Sequence, residues 1–352
     1  MEVEIGFICH ANKDHWLENI KHVMKDISIR YNKKIVLFTI NNLNLDKNII
    51  KKAYLIDGNK AGVTKTKIPS FIYNCVTHSK PSSIKKMRQL RMLKDTQVIN
   101  PVNRFYQHML FEMIASIMRS KDKDVILPFE TISKVSVKEF AKKYDSFFLL
   151  PQRSTKECRM ISISKVSSYK KNQEFEIAFG YKKQIITKDS LFLEINKIIR
   201  SRNYILLKNP GTVNWGFSPL EVRGYIQKGI TGEWSVADFI VKKELLSKDT
   251  LYDKETSSLA DALLDLFPEK VNKIKSQIHQ TAININKLLD CYIANRGSCF
   301  IDFIFDAQGN PYVVRIDGFE QDDYLYELDE GRLWKESIKN AGLYLVYLSD
   351  KE

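Results

Sequence analysis

No apolar run in this 352-residue chain approaches the ~20 residues needed to span a bilayer, so no membrane helix is expected. The N-terminus, Met1-Glu-Val-Glu-Ile-Gly-Phe-Ile-Cys9, has no basic n-region and carries two acids. That argues against a secretory signal and for a soluble, cytoplasmic protein. Cysteines at CxxC spacing are missing too. The five that exist, Cys9, Cys75, Cys158, Cys291 and Cys299, are scattered, which speaks against a zinc site or a disulfide framework and reads each as a small buried apolar residue. The six histidines form neither HExxH nor HxH. No GxGxxG follows the first strand-like run, Glu2 to Ile8, so a dinucleotide Rossmann site is not indicated.

What is present suits a folded protein of two or three packed subdomains: 44% hydrophobic residues over this length is ordinary for globular chains. The net charge of +13 invites a nucleic-acid reading, with the segment Lys80 to Lys94 (Lys85, Lys86, Arg88, Arg91, Lys94) as its footprint. No helix-turn-helix, RNP motif or zinc finger supports it, and a solvated helix face between subdomains is the preferred account. A phosphate-bearing small molecule or an acidic partner is compatible with the charge.

Along the chain, strands alternate with helices at first: Glu2–Ile8, a helix with Trp16, Ile20 and Val23 on one face, Lys34–Ile40, a short helix and strand over Asn48–Asp57, and a strand over Ile68–Asn74. This predicts a small α/β unit over residues 1–95. A second unit, 96–210, holds a helix Phe105–Met118 with Met109, Ile114, Ile117 and Met118 as core contacts. The strand–loop–strand Phe147–Ile163, the strands Glu174–Phe179 and Lys183–Thr187, a helix Ser190–Ser201 with Leu191, Ile195 and Ile198 aligned, and a strand Tyr204–Leu207 complete it. The third, 211–352, has a hairpin Leu220–Lys228/Trp234–Lys242, with Glu221, Arg223 and Tyr225 on a polar face. A long amphipathic helix Val271–Tyr292, a second hairpin and a last helix Trp334–Leu348 follow. The fold class is α/β (α+β), with antiparallel sheets and helices following the first α/β unit.

The second hairpin, Phe300–Phe319, is the clearest element: two β-branched and aromatic runs flank the turn Asp306-Ala-Gln-Gly-Asn310. If Asp302 and Asp317 share a face, two carboxylates converge, which is how a magnesium site for nucleotide phosphates is often built. Arg315 lies at the same alternation as Asp317, and a cation there can close such a site as well as a metal.

The order of these elements, carried by Ile68-Pro-Ser-Phe-Ile-Tyr-Asn74, Val98-Ile-Asn-Pro101, Ile126-Leu-Pro-Phe-Glu-Thr131, Glu221-Val-Arg-Gly-Tyr-Ile-Gln-Lys228 and the closing hairpin, resembles the YheC/YheD (endospore coat-associated) family of the ATP-grasp superfamily. The resemblance covers nearly the whole chain. It implies ATP and magnesium between two subdomains and, in an active member, formation of an acyl-phosphate that passes to an amine or thiol. Carried over by position, it places the first phosphate lysine on Arg104, which keeps the charge as a planar fork, and the second on Leu150, where the charge is lost. The glycine-rich phosphate loop falls on Ser154–Arg159, which contains no glycine; Lys156 and Arg159 are the cations left there, and Glu157 opposes a triphosphate. The adenine hinge falls near Leu206, Leu207 and Lys208, Arg223 on a phosphate- or substrate-contacting arginine, and the first metal acid on Asp302. The second metal acid falls on Arg315, the asparagine beyond it on Asp317, and a glycine-bearing segment on Asp253–Ser258.

Losing one charge-stabilising group costs about 2.7–4 kcal/mol of transition-state energy, and several are altered together here. The favoured reading is therefore an ATP-grasp pseudoenzyme with an eroded ATP/magnesium site, closed by an Asp302–Arg315–Asp317 ion cluster. It would act as a structural or regulatory partner of an active paralogue or of the spore coat. Two rivals stand beside it: an active ATP-dependent carboxylate–amine (or thiol) ligase using Arg104, Lys156, Arg223, Asp302 and Asp317, and a basic nucleic-acid-binding protein.

Overall fold

The computed structural model describes residues 3–10, 14–118, 125–153, 160–166, 174–179, 182–200, 203–216, 218–242, 258–318 and 331–351. None of the helices is long and apolar enough to cross a membrane among the described residues.

The first sheet is built from β1 (Ile5–Ile8), α1 (Asp14–Tyr31), β2 (Lys34–Phe38), β3 (Leu43–Asn44), β4 (Ile49–Asp57), β5 (Lys60–Lys67), β6 (Phe71–Asn74), α2 (Pro81–Leu90) and β7 (Gln97–Ile99). Its seven strands run β3-β4-β2-β1-β6-β7, with β5 added on β4. The β2-β1-β6-β7 core is parallel and β3, β4 and β5 pair antiparallel. The central strands are buried except for Lys34 at the start of β2, which is why they read as continuous apolar runs. The expected helix near Asn48 is absent: residues 49–57 form one nine-residue strand. Its hairpin partner β5 has no hydrophobic pattern, because it is exposed almost throughout. The missed signal is Asp57-Gly58, a turn pair whose glycine adopts φ +58°.

Within α2, Ser83, Met87 and Leu90 face the core. Lys86 is not a solvated charge: its Nζ donates to the carbonyls of Asn41 and Leu43 at 3.1 Å each.

A second sheet follows from α3 (Gln107–Ile117), β8 (Phe129–Thr131), α4 (Lys134–Lys143), β9 (Ser146–Pro151), β10 (Ile161–Val166), β11 (Glu174–Phe179), β12 (Lys182–Thr187), α5 (Leu191–Ile199) and β13 (Tyr204–Lys208). It is antiparallel, in the order β12-β11-β10-β9-β13-β8. Alternation splits β9 and β13: Phe147, Leu149, Tyr204 and Leu206 join the core formed with α4 and α5, while Phe148, Leu150, Ile205 and Leu207 share a core with Phe111 and Ile114 of α3. On α3, Met109 and Ile117 are exposed, so they are not the core contacts their spacing suggests. On α5 the buried third position is Ile199 rather than Ile198.

The last part comprises β14 (Asn214–Trp215), β15 (Ser218–Pro219), β16 (Glu221–Lys228), β17 (Trp234–Lys242), α6 (Leu259–Leu266), α7 (Val271–Asp290), β18 (Ser298–Phe305), β19 (Pro311–Asp317) and α8 (Arg332–Ser349). Both expected hairpins form, and they join through β16 and β18 into one sheet, β17-β16-β18-β19. The β18–β19 turn is held by Asp306, whose Oδ1 accepts from the N–H groups of Gln308 and Asn310 at 2.9 Å. Burial alone would raise the Asp306 pKa, but hydrogen bonds from Asn310, Tyr312 and Gln308 bring it below the ordinary carboxylate value.

Ile274, Ile278 and Ile285 of α7 share a core with one face of this sheet (Val222, Ile301, Phe303, Ile316). Tyr225 and Phe300 on the other face join the core made by α1, α8 and the first sheet. Helix α8 thus closes the space between the first and last parts of the chain. Tyr225, expected on a polar face, is 1% exposed there.

Candidate functional site

In an antiparallel ladder, directly opposed residues share a face. The registers of β17, β16, β18 and β19 therefore line up two rungs across four strands: Ile240–Arg223–Asp302–Arg315, and next to it Asp238–Tyr225–Phe300–Asp317. A bulge follows the Asp302–Arg315 pair. This is the face turned away from α7. Asp302, Asp317 and Arg223 are 1%, 3% and 7% exposed, so their charges must be answered by neighbours.

Arg223 answers Asp302 with a fork: Nε donates to Oδ1 at 2.7 Å and Nη2 to Oδ2 at 2.8 Å. Burial alone would make the guanidinium easier to deprotonate, yet the Asp302 carboxylate holds its pKa well above the ordinary arginine value. The Arg223 fork also lies over the Phe300 ring, 5.5 Å from its centre.

Arg315 is held more loosely. Its Nη1 is 3.8 Å from Asp302 Oδ2 and its Nε 3.6 Å from Asp317 Oδ2, both beyond hydrogen-bond distance. The Nε is buried with no hydrogen-bond partner, although 15% of the side chain reaches solvent.

Asp317 in turn accepts the Phe105 N–H on Oδ1 at 3.3 Å. Just beyond it Gly318 donates to Asn103 O at 3.0 Å, so closely that a Cβ there would lie 2.8 Å from Asn103 Cα. This contact brings the backbone at Arg104 beside Asp317. The outer edge of β19 is covered by Gln107, whose amide donates to Ile316 O and accepts the Ile316 N–H, both at 2.9 Å. Gln152 caps α3 from the end of β9, taking the Gln107 N–H on its carbonyl at 3.0 Å and the His108 N–H on Oε1 at 3.1 Å.

The structure thus brings together Arg223, Asp302, Arg315 and Asp317, with Arg104 alongside. Leu207 lies elsewhere, in the apolar core with Leu150, which stands opposite Ile205. The backbone of Leu206 and Leu207 sits between β8 and β9, and the Lys208 N–H is taken by Pro128 O at 2.8 Å. Lys156, Arg159, the rest of Ser154–Arg159 and residues 253–257 lie outside the described residues. A cavity of about 760 Å³, lined by Glu130, Glu139, Lys142, Lys143 and Tyr144 among others, lies between α3, β8 and α4 and includes none of these site residues.

Sequence reasoning missed Gln107 and the Arg223–Asp302 fork. The fork depends on pairing β16 with β18, across 79 residues of chain, and no local pattern encodes that.

A profile of the YheC/D like ATP-grasp family matches residues 103–348, well over half of the chain. The chain belongs to this family. The ATP-grasp fold is seen in solved structures at low identity. One is the ATP-grasp ligase PsnB complexed with minimal precursor (9% identity, TM-score 0.53, covering 97% of this chain and 100% of that one). Another is N5-carboxyaminoimidazole synthetase from Staphylococcus aureus complexed with ADP (10% identity, TM-score 0.51, 98% and 78%). No curated protein matches in sequence.

For an ATP-grasp protein the implied cofactors are ATP and magnesium. Magnesium demands near-octahedral oxygen ligation. Here both oxygens of Asp302 already accept from Arg223, and the residue opposite Asp302 on β19 is a second cation, Arg315. Among the described residues, those around Asp302 do not fit a magnesium ion.

Proposed function

We propose that this ATP-grasp protein is a pseudoenzyme, whose nucleotide site no longer assembles a magnesium-dependent catalytic centre and which acts as a structural or regulatory partner. One observation carries the reading: Asp302 is closed by the Arg223 fork, with Arg315 as a second cation on the same rung. Recruiting Asp302 to a metal would leave a buried guanidinium without its partner, at a cost of several kcal/mol.

Similarity to the ATP-grasp ligase PsnB favours a second reading, an active carboxylate–amine ligase. Thermal melting with ATP, with and without magnesium, separates the two, together with an assay for ADP or AMP release on adding candidate acids and amines. The pseudoenzyme reading expects no magnesium-dependent rise in Tm and no nucleotide release. A rise of several degrees with magnesium-ATP that Asp302→Ala abolishes, or steady ADP release, overturns it. The partner role is tested by co-purification with an active family member.

A further inference from the structure

We propose that the open edge of β5 is a docking strand for an acidic, extended segment of another protein, which joins the first sheet by main-chain pairing. This edge belongs to a different part of the fold from the Asp302 rung, and the proposal holds whether or not the nucleotide site is active.

On one side β5 pairs with β4, and no backbone group among the described residues pairs with the other side. An edge of eight residues without proline presents a row of unmet N–H and C=O groups, which is how a sheet recruits a further strand. Proteins that prevent such pairing set a charge, a proline or a bulge within the edge. The middle of β5, Ala61-Gly62-Val63-Thr64, has none of these and keeps unbroken register with residues 53–56. The bulge in this hairpin lies further along, between Ile50 and Ala53 of β4.

Two positions in that middle stretch leave room for a neighbour. A Cβ on Gly62 would meet nothing within 4 Å, and Gly62 is not among the glycines at positive φ, so neither packing nor backbone conformation within this chain calls for a glycine there. A glycine inside a strand weakens it and often marks the close approach of another chain. On the opposite face of β5, Val63 is 64% exposed and stands across from Tyr54.

The surrounding charge selects the partner. Lys60 stands at one end of β5, Lys65 and Lys67 at the other, and Lys51 and Lys52 on the neighbouring β4. All five are exposed, and none makes an ion pair among the described residues. Asp57, the one acid on these two strands, is paired with Lys34. Opposite charges facing each other across strands are favourable, and like charges are unfavourable. A second copy laid antiparallel on β5 would set lysine against lysine. A strand with acids at both ends and β-branched residues between them meets lysines at its ends and Gly62 and Val63 at its centre.

The test is fluorescence anisotropy of a labelled peptide, glutamate at both ends with valine, isoleucine and threonine between, titrated with the full chain. Wild type is expected to bind it, more weakly as salt is raised. A peptide with lysine in place of glutamate, and one N-methylated throughout, which keeps the charge and removes the donors, are expected not to bind. The triple variant Lys60→Glu, Lys65→Glu, Lys67→Glu is expected to weaken binding about tenfold or more, because each attractive cross-strand pair becomes a repulsive one. Circular dichroism establishes that it is folded, and Lys65→Glu alone provides the comparison should the triple variant fail to fold.

No binding of the glutamate peptide at low salt, equal binding of the N-methylated peptide, or binding that the lysine variants leave unchanged overturns the proposal. A single-stranded oligonucleotide that binds more tightly and displaces the peptide also overturns it, and makes the lysines a nucleic-acid surface. So does a dimer in solution that the triple variant dissolves, which puts a second copy on β5.

Discussion

At the scale of single residues, Asp302 sets the character of the site. Removing one member of a buried ion pair strands the other, so Asp302→Ala is expected to destabilise the protein by about 3–5 kcal/mol. Replacing both members by apolar residues, as in Asp302→Leu with Arg223→Met, avoids a stranded charge and is expected to recover most of that loss. Urea denaturation of the single and double variants gives the coupling, and a double variant as unstable as Asp302→Ala would show that the fork is not what holds this rung. The sequence pointed to Asp302, Arg315 and Asp317 as one cluster, because strand alternation alone puts Arg315 and Asp317 on one face. It suggested for Arg223 a contact with phosphate or substrate. Its partner turned out to be Asp302, a contact fixed by long-range register rather than by any neighbouring residue.

At the scale of elements, the edges of the sheets were the least legible. β5 is Lys- and Thr-rich and exposed, so nothing in its pattern marks it as a strand except the turn before it. The buried strands and both late hairpins were plain, since their side chains pack on both faces or alternate cleanly. The outer edge of β19 shows how an edge is finished by a side chain instead of a strand. Gln107 is 0% exposed, and its amide makes both bonds that a neighbouring strand would make to Ile316. Gln107→Ala leaves a buried N–H and C=O unmet, an expected loss of about 2–6 kcal/mol at 1–3 kcal/mol per group. Amide hydrogen exchange at Ile316 should quicken more than at Ile301, in the centre of the same sheet. Unchanged protection at Ile316 would mean that another group covers the edge.

At the scale of the whole molecule, the first sheet and the final hairpin are stitched by buried amides whose pairing no local pattern reveals. Asn100 accepts the Gly297 N–H at 2.8 Å and donates to Ser298 Oγ at 2.6 Å, and Tyr73 donates to the same hydroxyl at 2.8 Å. Asn74 donates to the carbonyls of Val76 and Asn100 at 3.0 Å each, so its Oδ1 is the acceptor left for His78 Nε2, 3.2 Å away. That assigns the proton of neutral His78 to Nε2. Burial, and then the nearby His10, lower the pKa of His78 below its ordinary value. Protonation would place a second proton on Nδ1 without giving it a new partner from Asn74. Because the folded pKa is the lower one, the unfolded chain binds more protons wherever His78 titrates. Stability from this group is full above the unfolded value of about 6.5 and falls as pH drops towards the folded value. The urea midpoint of wild type is therefore expected to decline between pH 7.5 and pH 5.5. His78→Gln keeps a donor for Asn74 and removes the titration, so its decline should be smaller. Parallel declines in the two proteins would place the acid sensitivity elsewhere than at this seam.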